Sequence, residues 1–486
     1  MNFKVKFQNL GPIKFAEYEV KDLTIISGKN GTGKTFSTYA LYGFLRRWVQ
    51  FVEIPQADHI LDNLYEKGVV YINLQTFIPN LQEIVDESCS RYTRQLYRVF
   101  GTPRKNFENS EFQIEIDVTE VSPPSDYHHS VRSGNSKTDI ITAENSSENP
   151  EVLKVTMLQE DGLEIPRSML KDVVNHILST FIFGNIFPRV FIASAERTGV
   201  ALFRRELDFS RNKLLTMLRE ANNSNSTDMV RTLLDASDES AYAVPVEDNV
   251  NYIRDLEDEF KKESYISSSH PEILNRLVDI SGGEFKLNKS NELRFTPNSN
   301  RRVSVGMDDG ASSVRSMVII DSYLRHSVKR GDLLIIDEPE LNLHPANQRN
   351  MARLISSLIK IGLKVMVTTH SDYFIKELNT LIMLNSLPEK YRNSFLNQFK
   401  YSDTELLDVD RVSAYSTGYK SIFLPGRDRK SKNLTLVKNL IEIDSGIEVG
   451  SFDETLVEID EVQSEIYYFD SEKFKENVKD DGSGQG

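Results

Sequence analysis

A single cysteine, Cys89, in 486 residues has nothing to pair with inside the chain, so an internal disulfide framework is excluded and a reducing compartment is expected. Long apolar runs are missing too: no stretch nears the ~18 uninterrupted apolar residues of a membrane helix. The opening residues, Met-Asn-Phe-Lys-Val-Lys-Phe, alternate like a strand and lack the apolar block of a signal peptide. These absences predict a cytoplasmic protein with no membrane partner. Positive charge is also short. Against 72 Asp and Glu stand 58 Lys and Arg, a formal net charge of −14, which disfavours a whole-surface basic footprint for nucleic acid. Much of that excess lies in residues 451–486, with eleven acidic residues and three lysines, readable as a solubilising tail or as a docking segment for a basic partner. No heptad survives three repeats in the charged, helical stretch 202–278, which excludes a long coiled-coil arm there. No H-x-x-H, C-x-x-C or nucleophile–base grouping stands out anywhere.

What is present is a core and a pattern. The hydrophobic fraction of 39% suffices for a packed interior, and the length suggests two or three lobes. Phe3, Val5 and Phe7 alternate; Leu23-Thr24-Ile25-Ile26 is a short buried run, followed by a glycine-rich turn and a helix from about Lys34 to Val52. Residues 68–74 and 188–193 read as further strands. Residues 122–149, rich in Ser, Asn, Asp and Pro, read as a surface loop. From Ser312 the order is helix, apolar strand, helix, apolar strand, helix, which implies a parallel sheet and an α/β fold.

Gly28-Lys29-Asn30-Gly31-Thr32-Gly33-Lys34-Thr35 fits G-x-x-x-x-G-K-[ST] between a buried strand and a helix. In that setting the backbone of Gly28, Asn30, Gly31 and Gly33 wraps so that N–H groups converge on phosphates, with the helix N-terminus behind them. Lys34 then reaches the β/γ-phosphates of ATP and Thr35 ligates Mg²⁺. Leu333-Leu334-Ile335-Ile336-Asp337-Glu338 is a buried strand with two carboxylates at its C-terminal end, where open α/β sheets place ligands. Asp337 is expected on Mg²⁺, directly or through water, and Glu338 on the attacking water. A second buried strand, Lys364-Val365-Met366-Val367, ends in Thr368-Thr369-His370-Ser371, which puts His370 near the γ-phosphate.

These three elements in this order resemble the ABC/SMC superfamily. That resemblance implies a composite ATP site completed by a serine at a helix N-terminus of a second subunit, hence a homodimer or higher homo-oligomer. Two segments compete for that role. Ile280-Ser281-Gly282-Gly283-Glu284 carries the usual text but lies 56 residues before Asp337 and precedes strand-like sequence, so it reads as a strand turn. Ser312, in Ala311-Ser312-Ser313-Val314-Arg315-Ser316, lies 25 residues before Asp337 and opens a helix, although Val314 stands where the superfamily has glycine. Asp337-Glu338-Pro339-Glu340-Leu341-Asn342-Leu343-His344-Pro345 with Thr-Thr-His-Ser after it resembles the OLD-type and AAA-15/AAA-21 ATPases. Ala193-Ser194-Ala195-Glu196-Arg197-Thr198-Gly199 resembles their Pro-Ala-Glu-Arg-Ser-Gly element. Arg197 is thus either a contact one layer behind the phosphates or a structural salt bridge. Gln75, ending the 69–74 strand, is a candidate for the glutamine the superfamily places at its nucleotide.

The expected architecture is an ABC/SMC-like P-loop ATPase head, a mostly parallel core sheet plus an antiparallel N-terminal sheet with a helical insertion. Its segments are 1–200 (phosphate loop and an inserted region), 201–278 (helical insertion), 279–385 (signature, Asp337, Glu338, His370) and 386–486 (C-terminal lobe and acidic end). Asp408-Val-Asp410 lacks the upstream partner of an OLD-type nuclease domain, so the chain reads as an ATPase without its own effector. The resemblance to standalone ATPases of anti-phage systems, such as PARIS, Septu and certain retrons, implies a nucleotide-gated sensor or scaffold controlling a separate nuclease. The alternatives are an SMC-like DNA repair ATPase and a transporter's nucleotide-binding subunit.

Overall fold

Leu23–Ser27 is apolar on both faces, so it must lie inside a sheet. In the computed structural model, which describes residues 2–55, 57–132, 139–157, 166–203, 242–423 and 429–467, it does. Lys364–Thr369 pairs with it in parallel on one side and Val412–Ser416 on the other. Leu333–Asp337 pairs in parallel beyond Lys364–Thr369, and Val190–Ala193 in parallel beyond that. Five parallel strands therefore end together. The sheet continues past Val412–Ile422 through antiparallel Ser431–Lys438, then Ile13–Val20, Phe3–Leu10 and Glu111–Ile116, nine strands in all. The expected parallel core and antiparallel N-terminal part are both present, joined in one sheet through the pairing of Thr435 with Phe15.

The helix Lys34–Phe51 starts within the phosphate loop and lies in a core of aromatic rings. Phe44 meets Tyr92, Phe112 and Phe187 edge-on or tilted, at 5.4 to 5.6 Å between ring centres, and Trp48 packs on Phe183 and Phe187. Such pairs stabilise by about 1 kcal/mol each beyond area burial, so this helix is held firmly behind the loop it begins. The outer strand Val190–Ala193 is covered by the helix Val244–Arg254. Buried Asn249 accepts the Ser194 N–H at 2.9 Å and donates to the Ile192 carbonyl at 2.6 Å, taking the place of a further strand.

Two expectations change. Residues 122–149 are not all loop: His128–Arg132 and Asp139–Ser146 join Asn149–Met157 and Val69–Asn73 in a four-stranded antiparallel sheet. The segment after 385 is not a separate lobe, since Val412–Ile422 and Ser431–Lys438 sit inside the main sheet, and the chain divides instead at 447/448. Its second unit, residues 448–486, holds an 18-residue helix, Gly450–Tyr467, with exposed Val457, Ile459, Val462 and Ile466. Of the helical insertion the later part is described and is helical, with helices Val244–Arg254, Leu256–Glu259, Tyr265–Ser269 and Pro271–Ser281; residues 204–241 lie outside the described residues. Among the described residues no helix is long and apolar enough to cross a membrane.

Candidate nucleotide site

The C-terminal ends of the five parallel strands converge on one crevice. Gly28 follows the first, with φ of +144°, and Gly31 and Gly33 are also positive, at +72° and +92°. A Cβ on Gly28 would sit 1.9 Å from Thr417 Oγ1, so this position has no room for any side chain. Thr417 belongs to the neighbouring strand and its hydroxyl lies 2.5 Å from that of Thr32, while Ser416 and Ser27 share a 2.8 Å hydroxyl contact. The strand from the far end of the chain thus buttresses the loop. Lys34, buried at the start of its helix, donates to the carbonyls of Gly28 and Lys29, both at 3.0 Å. Burial pushes its ammonium below the usual lysine range, against the pull of Glu338, Asp337 and Glu340.

Asp337 is buried, and burial raises its carboxyl above the ordinary range despite hydrogen bonds from Thr368 and Thr35. Thr35 Oγ1 donates to Asp337 Oδ2 at 3.1 Å. A hydroxyl and a carboxylate facing each other beside a phosphate loop suit Mg²⁺, which takes one or two protein ligands and completes its shell with phosphate and water. Among the described residues no group of three or more His, Cys, Asp and Glu side chains could hold a metal unaided, so the donor set fits this shared kind of site and no dedicated metal cage.

Glu338 has φ of +54°, rare for a non-glycine residue, and precedes Pro339. Its carboxylate accepts from His370 Nε2 at 2.9 Å, a bond that holds it below the usual carboxylate range. His370 Nδ1 lies 2.9 Å from the Gly28 carbonyl and 3.4 Å from Lys34 Nζ. One imidazole therefore ties the carboxylate to the phosphate loop. Glu340, in the segment that resembles the superfamily's D-loop, anchors the main chain that carries the imidazole: its Oε1 accepts the His370 backbone N–H at 2.6 Å and the Thr369 hydroxyl at 2.9 Å. Burial pushes its carboxyl up, and Oε2 has no hydrogen-bond partner.

A family model described as an AAA ATPase domain, AAA_15, matches residues 1–375. The chain belongs to the AAA_15 family of ATPase domains. No curated protein matches its sequence. Solved structures similar to this AAA_15 chain include a Pyrococcus furiosus Smc head domain with an extended coiled coil bound to the C-terminal domain of ScpA, 12% identical over 95% of this chain and 100% of that one, TM-score 0.28. Another is the SMC head domain of Thermotoga maritima, 12% identical over 90% and 98%, TM-score 0.28. These superpositions are loose; the P-loop ATPase fold of the AAA_15 chain rests on its own strand order and loop geometry.

The other expected site residues of the AAA_15 chain divide. Ser312 opens the helix Ser312–His326 and is exposed there, as its spacing suggested. Ser281 instead ends the helix Pro271–Ser281, with Gly282 left-handed beyond it and a strand from Gly283. Arg197 reaches the site without touching the crevice. It is 1% exposed and bonded to backbone carbonyls, including those of Asp337 and Glu338, which sets it one layer behind the two carboxylates and not in a salt bridge. Gln75 is exposed at the end of a strand of the four-stranded sheet and donates to Glu151 at 2.9 Å; no hydrogen bond connects it to the loop. Asp408 caps a turn by accepting the Asp410 N–H at 3.0 Å, and the Asp410 carbonyl takes Lys21, so the pair serves local structure.

Proposed function

We propose that this chain binds and hydrolyses Mg·ATP at the crevice, with Glu338 as the catalytic carboxylate. The observation that carries the reading is the contact from Glu338 through His370 to Gly28: an ionised carboxylate is aimed at the loop that would cradle the phosphates, by a histidine bonded to that loop. Lys34 would exchange two carbonyl partners for phosphate oxygens, which suits a cation whose burial weakens its hold on the proton. Thr35 and Asp337 would hold Mg²⁺, which when bound spreads the charge of the β- and γ-phosphates. Glu338 then draws a proton from the attacking water while His370 fixes the direction of its carboxylate.

Ser312 at an exposed helix N-terminus supports a composite site, in which a second copy contributes that serine to the nucleotide held here. The resemblance to standalone anti-phage ATPases supports a further step, in which nucleotide state controls a separate effector, a nuclease in those systems. Glu338→Gln tests the core of the reading, because it keeps shape and hydrogen bonding but cannot accept the proton. We expect ATP to bind normally and turnover to fall by about a hundredfold or more. Hydrolysis at the wild-type rate by that variant would remove Glu338 from the chemistry.

A further inference from the structure

We infer that Arg197 is a positioning residue that conveys the state of the Ser312 helix to the carboxylate of Glu338. The inference rests on the reading of Glu338 as the catalytic carboxylate and goes beyond it. Four of the five N–H groups of the guanidinium donate to backbone carbonyls. Nε donates to the Ser316 carbonyl at 2.9 Å, Nη1 to those of Ser194 at 2.9 Å and Asp337 at 2.5 Å, and Nη2 to that of Glu338 at 2.6 Å. Removing it would take a charged donor from carbonyls on three separate elements. Burial lowers its pKa to about 10, still far above neutrality, so the four bonds are charge-assisted.

Two of those carbonyls matter for different reasons. That of Glu338 belongs to a residue held at φ +54°, a conformation that costs about 1–3 kcal/mol for a non-glycine residue and persists only when its surroundings impose it. The Glu338 N–H is held by the Thr368 carbonyl at 3.1 Å, and its C=O by Arg197 and by the Leu341 N–H at 3.1 Å. Arg197 is thus the side chain that fixes the carbonyl side of the peptide. The Ser316 carbonyl lies one helical turn after Ser312. A rigid helix moves as a unit, so any shift at Ser312 reaches Ser316, and a fully forked, fully buried guanidinium has no slack to absorb it. Contact of Ser312 with a second copy's nucleotide therefore changes the aim of Glu338 in its own subunit, and the two ATP sites of a dimer become linked.

The test is a double-mutant cycle in kcat. Arg197→Lys keeps the charge but cannot fork to four carbonyls, and Ser312→Ala removes the signature hydroxyl; both are measured alone, together, and beside Glu338→Gln. If Arg197 conveys the signal, Arg197→Lys lowers kcat roughly a hundredfold with nucleotide affinity unchanged, and the double variant is no slower than the slower single one. Losses that multiply, or a wild-type kcat in Arg197→Lys, overturn the inference while leaving Glu338 in place. Turnover surviving in Glu338→Gln overturns the underlying reading instead. Should Arg197→Lys not fold, amide exchange over residues 338–343 with a non-hydrolysable ATP analogue decides the matter. Protection present in the wild type and lost in Ser312→Arg supports the link, and equal protection in both refutes it.

Discussion

Gly28→Ala is the sharpest perturbation of the loop, because two independent costs fall on one methyl group. With φ at +144° the new side chain occupies backbone space that L-residues rarely adopt, at about 1–3 kcal/mol. It also lands 1.9 Å from Thr417 Oγ1, which sits on a short, buried side chain with little freedom to turn away, adding about 1–3 kcal/mol of overpacking. The strain falls on the loop, so it should appear mainly in binding. A combined cost near 3 kcal/mol corresponds to about a hundredfold weaker nucleotide affinity at 25 °C, measured by titration with a fluorescent ATP analogue. Second-site changes separate the two costs. Thr417→Ala removes the offending oxygen and should recover part of the affinity in the Gly28→Ala background. Thr417→Val loses the same hydroxyl hydrogen bonds yet keeps the bulk, and should recover none. Equal recovery by both, or wild-type affinity in Gly28→Ala alone, would refute the steric argument.

Asp22 is held by Arg411 at 2.7 Å and Lys364 at 3.1 Å; burial alone would raise its carboxyl, but these partners outweigh that and hold it below its ordinary 3.8. A depressed folded-state pKa contributes stability above the unfolded value that is lost as pH falls through the folded one. Asp22→Asn should therefore cost about 1 kcal/mol at pH 7, with melting curves converging on the wild type as the pH falls below the ordinary carboxylate value and through the depressed one. For the composite site, Lys34→Ala and Ser312→Arg proteins should each be inactive alone and regain part of the activity when mixed, since one site of a heterodimer is then intact. Normal activity in a strictly monomeric preparation, checked by light scattering, would count against that arrangement.

The strands that end at the site were legible because each announces itself locally: a short, mostly apolar run, then carboxylates or Thr-Thr-His at the end a parallel sheet offers to ligands. The helix at Ser312 was legible by spacing. What stayed hidden is chemistry specified by distant partners. Val412–Ile422 buries Ser413, Ala414 and Thr417 against other strands, and this small, polar composition looks nothing like a central strand until its neighbours are known. Arg197 read as a contact one layer behind the phosphates or as a salt bridge; four carbonyls drawn from segments up to 141 residues away leave no trace in a local pattern. Gln75 shows the opposite case: the local match, strand then glutamine, falls in the separate four-stranded sheet, where Glu151 takes its amide. Residues 122–149 misled through turn-forming composition, although Ile141 and Ala143 pack inward from one of their strands.

The strand that steadies the phosphate loop is made very late. Ser27 meets Ser416 across 389 positions of sequence. At synthesis rates of ~5–20 residues per second, the loop waits roughly twenty to eighty seconds on the ribosome for its buttress. Throughout that time Leu23–Ser27, buried along its whole length in the finished protein, has an unpaired edge, the kind of surface that invites wrong pairing or a chaperone. A nascent chain truncated before residue 412 should therefore fail to retain ATP even though every phosphate-loop residue has been translated. In the cell, nucleotide capture would then act as a checkpoint on complete synthesis.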